Sequence, residues 1–88
     1  MTNKGSIEKI LQDALRPVFL EVIDDSAKHA GHAGARQTGG GHYQVNITSA
    51  AFNGKKLIDR HRMVYGALLP VKALIHALAI KARSTQEP

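Results

Sequence analysis

Apolar side chains recur at helical spacing near the start of the sequence, where Ile7, Ile10, Leu11, Ala14 and Leu15 share one face. Ser6 stands before them as an N-cap, Glu8 sits in the first turn against the helix dipole, and Pro17 disfavours helix at Arg16. The pattern predicts one amphipathic helix from Ser6 to about Leu15. Val18 to Ile23 is short, β-branched and aromatic, and runs into Asp24-Asp25-Ser26, so it reads as a strand. Tyr43 to Thr48 alternates strictly between apolar and polar residues, which predicts a strand with one face on a core and one face wet. Between them lie the seventeen residues 25–41, five of them glycine, a length that in compact domains marks a functional or disordered loop.

Ser49 to Phe52 suits a single helical turn capped by Ser49, and Asn53-Gly54 is a turn signal. A helix is then predicted from Lys56 to about Leu69. Its apolar stripe is Leu57, His61, Val64 and Leu68, widened by Ile58, Tyr65 and Leu69, with Lys55, Lys56, Arg60 and Arg62 mostly off it. His61 falls on the core or boundary side, and Tyr65 reads as core with a wet hydroxyl. Pro70 either opens a new turn or kinks what continues. Leu74 to Ala82 is ambiguous, because its alanines favour helix while its apolar residues also alternate.

The 88 residues suit one small domain with a mainly aliphatic core, since 43% are hydrophobic and 5% aromatic. There is no cysteine, which excludes disulfides and any thiolate metal site built by this chain alone. The net charge of +5 is uneven: residues 1–25 sum to −2, and the basic remainder to +7. A basic half suits nucleic acid, an acidic protein surface or plain solvation. No apolar run reaches the roughly 20 residues that span a bilayer, and the opening residues lack a signal peptide's hydrophobic core, so a cytoplasmic protein is expected.

The five histidines, His29, His32, His42, His61 and His76, are the candidate soft ligands besides two methionines. From spacing alone, His29-x-x-His32 reads as solvated loop histidines before it reads as a chelate. Gly39-Gly40-Gly41 precedes a strand and not a helix, which removes the anion-binding context of a phosphate loop. No hydroxyl stands in an evident nucleophile–base–acid arrangement and there is no thiol, so an enzyme is not expected.

Phe52-x-Gly54, Arg60-His61-Arg62-x-Val64-Tyr65, His76-Ala77-Leu78 and the early Val18-Phe19-Leu20-Glu21-Val22 together resemble the signature of the BolA family, from about Ile7 to Arg83. The resemblance decides Leu74 to Ala82 as the last main strand. It implies an α+β fold of order α-β-β-α-α-β, class II K-homology-like, with helices on one face of a three-stranded mixed sheet. Residues 6–83 would form the domain, with tails at 1–5 and 84–88. The polar end 84–88 is too short for the further helix that many members carry. Members share a [2Fe–2S] cluster with a monothiol glutaredoxin and its glutathione. The resemblance carries the two ligands of this side to His29, in a His-type loop, and to His76, with His32 as the alternative loop ligand. The isolated chain would hold no cofactor and be a monomer, homodimerisation being left open.

Two other functions compete. Some members act in transcription, and Ser49 to Leu69 reads as helix–turn–helix-like, with Lys55, Lys56, Arg60 and Arg62 as candidate nucleic-acid contacts. Few polar side chains remain there to read base edges, and no G-x-x-G links the helices, so DNA binding is expected to be weak and indifferent to sequence. The third reading is a basic face that docks on an acidic protein without metal.

Overall fold

The computed structural model describes residues 3–25 and 41–86. Helix α1 spans Asn3–Leu15, strand β1 Phe19–Asp24, strand β2 Gly41–Thr48, helix α2 Leu57–Ala67 and strand β3 Ile75–Arg83. Two 3-10 segments, Ala50–Phe52 and Leu69–Leu74, flank α2. Strand order is β1-β2-β3, with β1 antiparallel and β3 parallel to the central strand. This is the α+β order expected from the sequence, with both intervening turns in 3-10 form.

The alternation in β2 is realised residue by residue. Tyr43, Val45 and Ile47 are buried, and they sit in register between Asp24, Val22 and Leu20 of β1 and Leu78, Ile80 and Ala82 of β3. Ile7 and Leu11 of α1, Val64 of α2 and Leu68 just after it close over that face, together with Phe52. At roughly 1.5–3 kcal/mol for each large aliphatic side chain removed from water, this single aliphatic layer supplies most of the driving force for the fold.

Ser49, 1% exposed, ties three elements together. Its hydroxyl donates to the Leu15 carbonyl at the end of α1 at 2.6 Å, and accepts from the Ala51 N–H at 3.1 Å. Its backbone N–H donates to the Arg83 carbonyl at the end of β3 at 3.0 Å. The predicted cap is therefore present, and it also satisfies an orphan carbonyl of another helix. Just after Leu15, Arg16 adopts a φ of 45°, and its N–H donates to the Gln12 carbonyl at 3.1 Å, a left-handed helix end before Pro17. Gly54, at a φ of 75°, supplies the positive angle that the Asn53-Gly54 turn requires.

Two details differ from the sequence expectation. α1 begins at Asn3, and Ser6 lies half-buried inside it instead of capping it. A cap is worth about 1 kcal/mol and yields where the preceding residues can extend the backbone ladder. The second difference concerns which side of α2 faces the core. Val64 and Leu68 are inward, joined by Met63 and Ala67, but Leu57 is 65% and Ile58 57% exposed, and Tyr65 and Leu69 also face out. Apolar spacing offers two stripes on this helix. The one that packs on the sheet contains the small Ala67 and the flexible Met63, which permit close approach. Pro70 opens the second 3-10 segment, one of the two expected outcomes.

Beyond β3, Ser84 is buried, and Asn53 Oδ1 accepts from the Thr85 N–H at 2.9 Å. Ser49→Ala is expected to lower unfolding free energy by about 1–2 kcal/mol, because it leaves the Leu15 carbonyl and the Ala51 N–H without their partner. Urea denaturation of wild type and variant checks this, and an unchanged midpoint would refute the role given to the hydroxyl.

Candidate functional site

His76 is the second residue of β3 and His42 the second of β2, so the parallel pairing starts both strands at one end of the sheet. The pairing runs Gly41 to Ile75 and then His42 to Ala77, a register shift that leaves His76 as the additional residue on β3. A bulge of this kind re-aims a side chain. His76 is exposed and His42 half-buried, and their ring centroids lie 5.1 Å apart with the planes inclined by 58°. Gly41 permits this strand start, because a Cβ there would lie 2.6 Å from the Tyr43 ring.

Imidazole nitrogens bind a metal at about 2.0–2.1 Å, so two rings on one near-tetrahedral ion have centroids on the order of 5 Å apart. The His42–His76 separation fits that arrangement. No group of three or more His, Cys, Asp or Glu that could hold a metal occurs among the described residues, so further ligands would come from elsewhere. His29 and His32 lie outside the described residues. His42 is the residue that sequence reasoning left without a role. Its position at the head of an alternating strand was visible, but the pairing register with β3 was not.

A groove of about 300 Å³ adjoins His76, walled by Tyr65, Leu69 and Lys72 on one side and by Ile75 and Leu78 on the other. The Tyr65 hydroxyl lies 3.4 Å from the Leu78 carbonyl oxygen. The ring is 51% exposed, so Tyr65 is a groove wall and not a core residue.

The four candidate phosphate-binding cations separate. Lys55 and Lys56 are exposed at the turn before α2. Arg62 is exposed too, with Nη1 3.9 Å from Asp59 Oδ1, a weak surface pair. Arg60 instead holds the fold. Its Nε donates to the Lys55 carbonyl at 2.9 Å and its Nη1 to the Ala82 carbonyl of β3 at 3.1 Å. His61 is half-buried beside it, as expected for a boundary position.

Comparison with known proteins follows the same lines. Residues 11–87 match the family described as BolA-like protein. The chain is 38% identical over 88 residues to the DNA-binding transcriptional regulator BolA of Escherichia coli, covering 99% of this chain and 80% of that protein. It is 43% identical over 86 residues to the chloroplastic/mitochondrial SufE-like protein 1 of Arabidopsis thaliana, covering 92% of this chain but 23% of that longer protein. Among solved structures, the BolA domain of SufE1 from Arabidopsis thaliana superposes with a TM-score of 0.83 at 39% identity, covering 100% of this chain and 98% of that one. None of the described helices is long and apolar enough to cross a membrane.

Arg60→Ala is expected to cost about 1–3 kcal/mol of stability, because two carbonyls lose a charged donor, whereas Lys55→Ala and Lys56→Ala should stay within about 0.5 kcal/mol of wild type. Thermal or urea melts of the three variants decide the point, and three equal melts would contradict it.

Proposed function

The chain belongs to the BolA-like family, and we propose that within it the protein acts as a non-enzymatic partner of a monothiol glutaredoxin, sharing a [2Fe–2S] cluster in iron–sulfur trafficking or iron and redox regulation. The observation that carries this reading is an exposed imidazole, His76, with a second, His42, at 5.1 Å, in a chain that has no cysteine. Thiolates for such a cluster must come from outside, as a glutaredoxin and glutathione would provide them. Bound, the cluster supplies a one-electron redox centre, whose potential rises where histidine replaces thiolate on one iron.

The roles proposed for this chain's own residues rest on the strand position of His76 and, for the loop, on the family resemblance. His76 is fixed by a strand and by the register shift that turns it out, so it is the firmer ligand. The second ligand is a loop histidine, His29 or in its place His32, with His42 positioned to contact the same centre. Imidazole ligates only when neutral, so acidification releases whatever these residues hold.

Anaerobic reconstitution with a monothiol glutaredoxin and glutathione, read by visible absorption, tests this. The wild type should give a mixed complex with a [2Fe–2S] spectrum, His76→Ala should abolish it, and His29→Ala should leave a weaker or altered one. An unchanged spectrum in the His29→Ala, His76→Ala double variant would exclude both residues as ligands.

A second reading, DNA-binding regulation of stress response and cell morphology, is favoured by the name of the Escherichia coli relative and by the exposed Lys55, Lys56 and Arg62. Phosphate contacts dominate there, so affinity should fall steeply between low and high salt and hardly distinguish a specific from a scrambled duplex. A large sequence preference retained at high salt would make this the primary function.

A further inference from the structure

Helix α2 and the 3-10 segment after it carry a second apolar stripe that the fold leaves uncovered. Ile58 is 57%, Tyr65 51% and Leu69 64% exposed. Tyr65 lies seven positions after Ile58, which at 3.6 residues per turn returns it close to the same side of α2, about 10 Å along the axis, and Leu69 begins the 3-10 segment that follows. Scattered surface apolar residues need no explanation, but Tyr65 and Leu69, four positions apart and both lining a groove, mark an interaction surface, with Ile58 two turns earlier beyond Arg62. Tyr65 and Leu69 belong at once to the stripe and to the wall of the 300 Å³ groove that ends at His76.

The charges around this surface point to its occupant. Lys55, Lys56 and Arg62 border the stripe, and Lys72 stands in the groove wall. The groove is lined by no Asp or Glu, and the carboxylate of α2, Asp59, lies 3.9 Å from Arg62. A second copy of this chain would bring like charge against like. A nucleic acid would match the cations but not the row of large apolar side chains between them. An amphipathic protein segment with acidic residues beside its apolar ones matches both.

We infer that the Ile58–Tyr65–Leu69 stripe and the adjoining groove dock an acidic, apolar-anchored segment of the protein partner. An aliphatic or aromatic side chain of that segment fills the groove, and a carboxylate beside it meets Lys72. This deepens the reading of His76 as the partner-facing ligand and rests on it, since the groove ends at that residue. The arrangement divides two tasks between neighbouring groups. The stripe holds the partner whether or not a cluster is present, and His76 binds only what the partner brings.

The test is calorimetric titration of the full chain with cluster-free monothiol glutaredoxin, beside the anaerobic reconstitution described above. Leu69→Ser and Lys72→Glu change exposed side chains, so circular dichroism should show both folded. Their combination should weaken cluster-free binding at least about tenfold, the loss of a central anchor with its charge partner. His76→Ala should remove the cluster spectrum. Absence of wild-type binding, or equal binding by the groove variants, would overturn the docking surface. Self-association of the chain that the groove variants abolish would do so too. If no cluster forms with wild type but the groove variants still weaken cluster-free binding, the docking surface stands and the cluster reading falls.

Discussion

The hydroxyl of Ser49 is where the two halves of this molecule meet. An exposed serine in a turn would contribute little, but this one is buried, and the groups it satisfies belong to different elements. It accepts from the first turn after β2, donates to the last carbonyl of α1, and lies in a residue whose backbone N–H holds the end of β3. Burial makes the dependence strict, because each of these groups would otherwise lose water without gaining a partner. Arg60 and Asn53 extend the same logic along the end of β3, binding Ala82 and Thr85. With its far end fastened by three separate residues, β3 keeps a single register against β2, and that register sets where His76 stands.

The candidate site is a product of this strand placement more than of local sequence. His42 and His76 are separated by a helix and the two 3-10 segments that flank it, yet parallel pairing starts their strands at one edge. One additional residue on β3 then turns His76 outward. The arrangement presents imidazoles at the rim of a sheet whose interior is aliphatic, so polar chemistry is kept out of the core and the core carries no functional burden.

Much of this was readable from residues alone, for reasons that differ by element. β2 was legible because alternation has one solution once a face is buried, and Ser49 because a cap residue followed by Ala50-Ala51-Phe52 has few other uses. The strand at Ile75–Arg83 required the family resemblance, since alanine-rich alternation does not discriminate between helix and strand. α2 was located correctly and Val64 and Leu68 of its expected stripe are buried, but Leu57 and the residues thought to widen that stripe face out. Leu57, Ile58, Tyr65 and Leu69 look like core by composition, and periodicity does not say which of two apolar stripes meets the sheet. Arg60 carries a role that no local pattern encodes, because a cation near a turn does not announce its hydrogen bonds to the Lys55 and Ala82 carbonyls. His42 needed a pairing register that no local pattern encodes.

The parallel pairing of β2 with β3 also bears on how the chain reaches this state. α1, β1 and the turns around α2 can form from near neighbours, but β3 cannot join β2 until the 26 residues 49–74 have folded back over the sheet. Non-local pairing of this kind is intrinsically slower to form than local contacts. The histidine pair exists only once β3 is paired with β2 in this register. Completion of the fold and appearance of the histidine pair are therefore one event, so an unfinished chain does not offer the finished site.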